Sequence, residues 1–163
     1  MKGSHRSYLA LRDTWRAMSQ EDVEVVRSLL GPFEQGDIAP LYRDDAIAAA
    51  FIAATADAIT ADFECVFIRD DVGRSTYRGA EGLRAGMLDW LEPWDSYHAG
   101  IEDVIDAGHG RVLVLTRDHA RPKGSDADVS FLGAPVWTLR DGKLARIEFY
   151  WSRDDGIAAA GLT

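Results

Sequence analysis

Three groups of residues in this 163-residue chain are of types that do chemistry. Asp70 and Asp71 follow the apolar run "DFECVFIR" within "RDDVG". A carboxylate beside an apolar cavity can shuttle a proton, but Asp and Gly together also make a solvated turn, which is the first reading of this stretch. His119, in "RDHARPKG", is of the residue type that serves as acid or base near neutral pH and would suit a pocket rim. It alternates with Arg117, Arg121 and Lys123, as the polar edge of a hairpin does, and such a basic rim would also attract an anionic ligand. Trp90, Trp94 and Tyr97 form the third group, at a spacing that fits a ligand-binding aromatic wall or an ordinary core stripe. No spacing of His and acidic residues makes a metal site. Cys65, inside "FECVFI", reads as a small core residue, and Gly79 and Gly82 do not form a dinucleotide loop, so no metal and no cofactor is expected.

Those residues must be positioned by the elements around them. Ser19 with Asp22 three residues on is an N-terminal cap, and Val23, Val26, Leu29, Leu30 and Phe33 repeat at helical spacing until Gly36. A second helical region runs from about Ile38 to Ile59 in two pieces around Asp44-Asp45, with Ile47, Phe51 and Thr55 or Ala54 on its packed side. "DFECVFI" is a first strand, and "GAEGLRAGMLDWLEPW" a helix with Leu83, Met87, Trp90, Leu91 and Trp94 on one face. Three strand signals follow, "HAGIEDVIDAG", "RVLVLTRDHA" and "DVSFLGAPVWTLR", before Asp141-Gly142 turns into "KLARIEFYW".

The turn sets a register. If Asp141-Gly142 is a two-residue hairpin loop, Arg140 pairs Lys143, Thr138 pairs Ala145 and Val136 pairs Ile147. Phe149 and Trp151 then face inward as ligand-binding residues, while Trp137 and Tyr150 face outward. Helices followed by a meandering antiparallel sheet make an α+β domain. The first 17 residues read as an extension that can lie upstream of the native start, with Tyr8, Leu11, Trp15 and Met18 near one helical face as the rival reading, and residues 18–163 form one domain. At 47% hydrophobic content the chain can fill a single core. A formal net charge of -9 argues against nucleic acid as a partner. No apolar run approaches the roughly 20 residues that span a bilayer, so a cytoplasmic protein without a membrane partner is expected.

"MSQEDVEVVRSLL", "YRGAEGLRAGMLDWL", "VWTLRDGKLARIEFY" and "SRDDGIAAAGL" together resemble the SnoaL-like branch of the nuclear transport factor two and ketosteroid isomerase-like superfamily, over Met18 to Leu162. The resemblance implies a cystatin-like α+β barrel: a cone-shaped, curved antiparallel sheet with helices packed on its concave face around a deep apolar pocket. It implies a homodimer through the outer sheet face, here with Trp137 and Tyr150, and a small apolar or polycyclic molecule as ligand. The chemistry implied is isomerase, cyclase or hydratase-type proton transfer. The alternatives are a noncatalytic carrier or sensor, and a structural dimerisation module with a filled pocket. Asp70 and Asp71 lie near the place where isomerase-like relatives keep their general base. Relatives commonly have an aspartate where this chain has Ser152, and "SRDD" reads instead as a helix cap with Asp155.

Overall fold

The structure is a computed structural model that describes residues 19–69, 73–150 and 152–162. Asp70, Asp71, Trp151 and the first 18 residues lie outside the described residues. The order of elements is α1 (residues 19–30), a 3-10 turn (Gly31–Gln35), α2 (Ala39–Arg43), α3 (Asp45–Thr55), β1 (Ile59–Arg69), β2 (Gly73–Arg78), α4 (Gly79–Leu91), β3 (Trp94–Gly108), β4 (Arg111–Pro122), β5 (Val129–Gly133), β6 (Val136–Arg140), β7 (Lys143–Tyr150) and α5 (Arg153–Ala159). Local chemistry sets several of these boundaries. Asp44 ends α2 and caps α3, its carboxylate accepting from Ile47 N at 2.9 Å. Ser152 caps α5 by accepting from Asp155 N at 3.1 Å, the cap that "SRDD" implied.

The strands form one curled, open sheet in the order β2-β1-β7-β6-β4-β3, with β5 pairing the far part of β4. Every pairing is antiparallel except β1 with β7, which is parallel and departs from the wholly antiparallel expectation. α1, α2 and α4 pack on the concave face, where Val26, Leu30, Tyr42, Phe63, Leu91 and Val114 are among the most buried residues. α5 packs on the opposite, convex face with Leu113, Ala134, Val136 and Ala160.

Two expectations about side-chain direction are corrected. Ile47 is 43% exposed, and the phase of α3 instead buries Ala48 and turns Phe51 onto Phe33 and Tyr42 at ring distances of 5.9 and 6.2 Å. Trp137 is buried on the concave side, not outward. Arg140 does pair Lys143 across the Asp141-Gly142 turn, whose two residues have the positive φ values (53° and 75°) of the hairpin loop expected there. The register then shifts: Leu139 pairs Leu144 but Thr138 pairs Arg146, so Ala145 is an extra residue on β7. Beyond that bulge Trp137 faces Ile147, and Val136 goes to the convex cluster. Tyr150 packs on the convex side, its hydroxyl donating to Glu148 at 2.7 Å.

α4 meets β1 through Gly86. A Cβ there would stand 2.7 Å from the Phe67 ring and 2.9 Å from that of Tyr77. Phe67 is stacked between Phe149 and Trp90 and cannot yield easily. Gly→Ala inside a helix ordinarily stabilises by about 1 kcal/mol. At this site overpacking reverses the sign: Gly86→Ala is expected to lower unfolding free energy by about 1–3 kcal/mol in urea titrations. A gain in stability would show that α4 does not approach β1 this closely.

Candidate functional site

The concave face is not filled by its own side chains. It encloses an apolar cavity of about 150 Å³, partly open to solvent, walled by α1, α4, β1, β3, β4 and the β5–β6–β7 side of the sheet. One wall is an aromatic stack drawn from three elements. Phe149 of β7 lies on Phe67 of β1 (4.8 Å, 14° between planes), and Phe67 lies on Trp90 of α4 (6.1 Å, 24°). From Trp90 the aromatic contacts continue to Tyr97 of β3 at 6.4 Å, and Tyr97 meets Phe131 of β5 at 5.8 Å.

The charged side chains that line the cavity, among the described residues, are Arg69 at the end of β1 and Asp118 on β4. Strand alternation places Val112, Val114, Thr116 and Ala120 inward, all buried, while Arg117, His119 and Arg121 are exposed. Asp118 shares the inward parity and lines the cavity with Thr116. Its Oδ2 accepts a 2.6 Å hydrogen bond from the Tyr97 hydroxyl. Its Oδ1 is sealed from solvent and has no hydrogen-bond partner among the described residues. Burial pushes the Asp118 carboxyl above its ordinary value; the hydrogen bonds of Tyr97 and Thr116 and the nearby His119 and Arg153 pull the other way without cancelling it. Tyr97 is raised as well, by burial first and then by the Asp118 charge and hydrogen bond, against a hydrogen bond from Trp90. The pair therefore holds its protons more tightly than either group does in water.

Neighbouring segments fix this pair. Asp37 Oδ1 accepts from Tyr97 N and from Ala39 N, both at 3.0 Å, pinning the Tyr97 backbone to the start of α2. On the convex side Arg153 donates to the Thr116 carbonyl and, at 2.8 Å, to Glu102, placing a cation behind the same stretch of β4. Gly133 pairs Thr116 across β4 and β5, and a Cβ there would come within 2.4 Å of Thr116 Oγ1. Only glycine leaves the Thr116 hydroxyl beside Asp118 undisturbed.

Of the residues singled out from sequence, Trp90, Tyr97 and Phe149 line the cavity. Trp94 packs behind that wall, on Phe131 at 5.7 Å and Tyr97 at 6.4 Å. His119 is exposed, pairs His98 and Ser130 across the strands, and does not line the cavity. Asp70 and Trp151 fall outside the described residues. Asp62 and Glu64, flanking the inward Phe63, are engaged with Arg140 and Arg146 respectively. Asp118, Thr116 and Trp137 were not anticipated as cavity residues. For Asp118 the signal was present: an outward Arg117-His119-Arg121 edge requires Thr116, Asp118 and Ala120 to face in. Among the described residues, no three His, Cys, Asp or Glu side chains group as metal ligands, and no helix is long and apolar enough to cross a membrane.

With this geometry in hand, comparison with known proteins is informative about the fold. The profile of the SnoaL-like domain matches residues 40–147, well over half the chain. No curated protein sequence matches significantly. Among solved structures, TerC co-crystallised with polyporic acid superposes with a TM-score of 0.61 at 15% identity, covering 86% of this chain and 98% of that one. A SnoaL-like polyketide cyclase, so described provisionally, from Jannaschia sp. CCS1 gives 0.55 at 17% identity, covering 88% and 93%. A cystatin-fold protein from Novosphingobium aromaticivorans gives 0.53 at 20% identity, covering 78% and 96%. At these identities the likeness is one of fold.

Asp118 links the site to stability. Burial favours its protonated form in the folded state, so between its ordinary pKa of 3.8 and the raised folded value the folded protein binds more protons than the unfolded chain. Stability therefore falls as pH rises through that window. Asp118→Asn removes the effect. Its stability relative to the wild type is expected to be flat with pH below the window, to rise across it and to level off above, as read from urea midpoints of both proteins over a pH series. A relative stability that falls with rising pH would mean that the Asp118 carboxylate is stabilised by its surroundings.

Proposed function

The chain belongs to the SnoaL-like domain family, and we propose that it binds a small, largely apolar molecule in the concave cavity and moves a proton on it, Asp118 acting as general acid or base. The observation that carries this reading is the Asp118 carboxyl group on the wall of an apolar cavity, with one oxygen held by a buried tyrosine and the other without a hydrogen-bond partner among the described residues. A carboxyl whose pKa is raised by burial is a stronger base than one in water and can both take and return a proton. Tyr97 fixes the carboxyl orientation by donating to Oδ2.

The reaction class is proton transfer beside a carbonyl or a related unsaturated centre, the step shared by isomerase, cyclase and hydratase-type chemistry. Two of the structural relatives are described in terms of small molecules, one crystallised with polyporic acid and one provisionally called a polyketide cyclase. They support a small-molecule reading for this chain without specifying its substrate. The second reading is a noncatalytic carrier, which the cavity supports by itself.

Exchange of solvent deuterium into the α-position of a bound cyclic ketone, followed by proton NMR, separates the two. Catalysed exchange by the wild type is expected to fall by about 100-fold or more in Asp118→Asn, with ketone affinity changed only a few-fold. A ketone that saturates the cavity without exchanging faster than in buffer would establish the carrier reading. Undiminished exchange in Asp118→Asn would remove Asp118 from the mechanism.

A further inference from the structure

The cavity wall carries a cation that the proton transfer does not use. Arg69 is the last residue of β1 and lines the cavity. Strand alternation brings it there. Cys65 and Phe67 lie in the concave core, and β1 pairs β2 without a register shift from Glu64 to Arg69, so Arg69 takes the next inward position. Arg69 is also exposed, and among the described residues that line the cavity only Leu132 shares that exposure. Both therefore stand where the cavity meets solvent, and an atom of a ligand seated at that opening can reach the guanidinium.

What Arg69 lacks is a counter-charge. Arg117, Arg140 and Arg146 each pair with a carboxylate from another strand. The residue opposite Arg69 on β2 is Gly73, which presents no side chain, and a Cβ built there would meet nothing within 4 Å. Among the described residues Arg69 makes no hydrogen bond or ion pair; its charge is felt by the Tyr77 hydroxyl, which donates to Asp89 at 2.7 Å. Acids are not scarce in this chain, where 27 Asp and Glu face 18 Lys and Arg. The shortage is local to this position.

A guanidinium presents its donors in a planar fork that matches a carboxylate bidentately. The net charge of -9 repels anions at long range, so a preference for an anion must come from a cation at the site itself. Resting on the reading of the cavity as the binding site, we propose that Arg69 is an anion-recognising residue at the cavity opening and that the ligand is a compact apolar ring system bearing a carboxylate. Phe67, two residues earlier on the same face and stacked on Phe149, sets the aromatic wall beside the cation, so one strand serves both the rings and the charge. A cavity of about 150 Å³, partly open, favours one or two rings over a four-ring skeleton. The carboxylate is a handle for recognition, and the reacting centre is the one that Asp118 serves.

The probes are 2-naphthoate and 2-naphthamide, which share their rings and nearly their size and differ in charge at neutral pH. Their affinities are measured by calorimetry for the wild type and Arg69→Gln. The wild type is expected to bind 2-naphthoate about five-fold more tightly than 2-naphthamide. In Arg69→Gln that advantage is expected to vanish while the affinity for 2-naphthamide stays within about two-fold. Equal affinities in the wild type would overturn the inference and mean that the chain itself satisfies Arg69. An advantage that survives in Arg69→Gln would overturn it too, by moving the anion site elsewhere. In both cases the cavity reading stands, because 2-naphthamide still binds. Failure of both probes to bind the wild type would overturn the cavity reading and this inference together.

Discussion

The hydrogen bond from Tyr97 to Asp118 is the constraint around which this fold is arranged. An ionisable group inside an apolar cone is costly unless it is paired or held neutral. The sheet meets that cost with one phenol at 2.6 Å, supplied by the neighbouring strand at a position where β3 and β4 run side by side. Much of the surrounding structure serves to keep Tyr97 in place. Asp37 holds its backbone, Trp90 and Phe131 hold its ring, and α4 is seated against β1 so that Trp90 can reach it. Removing any of these would leave Asp118 in the same apolar surroundings with its tyrosine partner displaced.

The convex face repeats the pattern with charges that stay near water. Glu102 accepts from both Arg117 and Arg153, and Arg146 lies between Glu64 and Glu148. Pairs at this degree of exposure add little stability. Their consequence for the site is positional: Arg153 reaches the Thr116 carbonyl at the root of the Asp118 stretch, so the cap of α5 and the cavity are connected through one strand. The glycine at 133 completes the arrangement by letting β5 close over Thr116 without a side chain in between.

Most of the fold was legible because it is written in short-range signals. The break at Asp44-Asp45, the Ser152 cap, the Asp141-Gly142 turn and the helical stripe of α4 each depend on residues a few positions apart. What was not legible depended on a single inserted residue. Ala145 carries no side-chain signal that marks it as a bulge, yet it moves Trp137 from the convex face to the cavity. The site was only partly readable for a different reason. Trp90 and Tyr97, singled out by spacing, and Phe149, singled out by the hairpin register, line the cavity. Of the two proton-transfer candidates read from the sequence, Asp70 lies outside the described residues and His119 is exposed, on the strand parity opposite to Asp118.

The central claim is that Asp118 is an acid held within the cavity where the ligand binds. Carbon NMR of carboxyl-labelled aspartate, with Asp118 assigned by its absence in Asp118→Asn, measures both halves of that claim at once. The account predicts that the Asp118 carboxyl titrates above the ordinary carboxylate range and that saturating 1-tetralone moves its resonance more than that of any other aspartate. An Asp118 signal that titrates at the ordinary value and is unmoved by a ligand that demonstrably binds would contradict it.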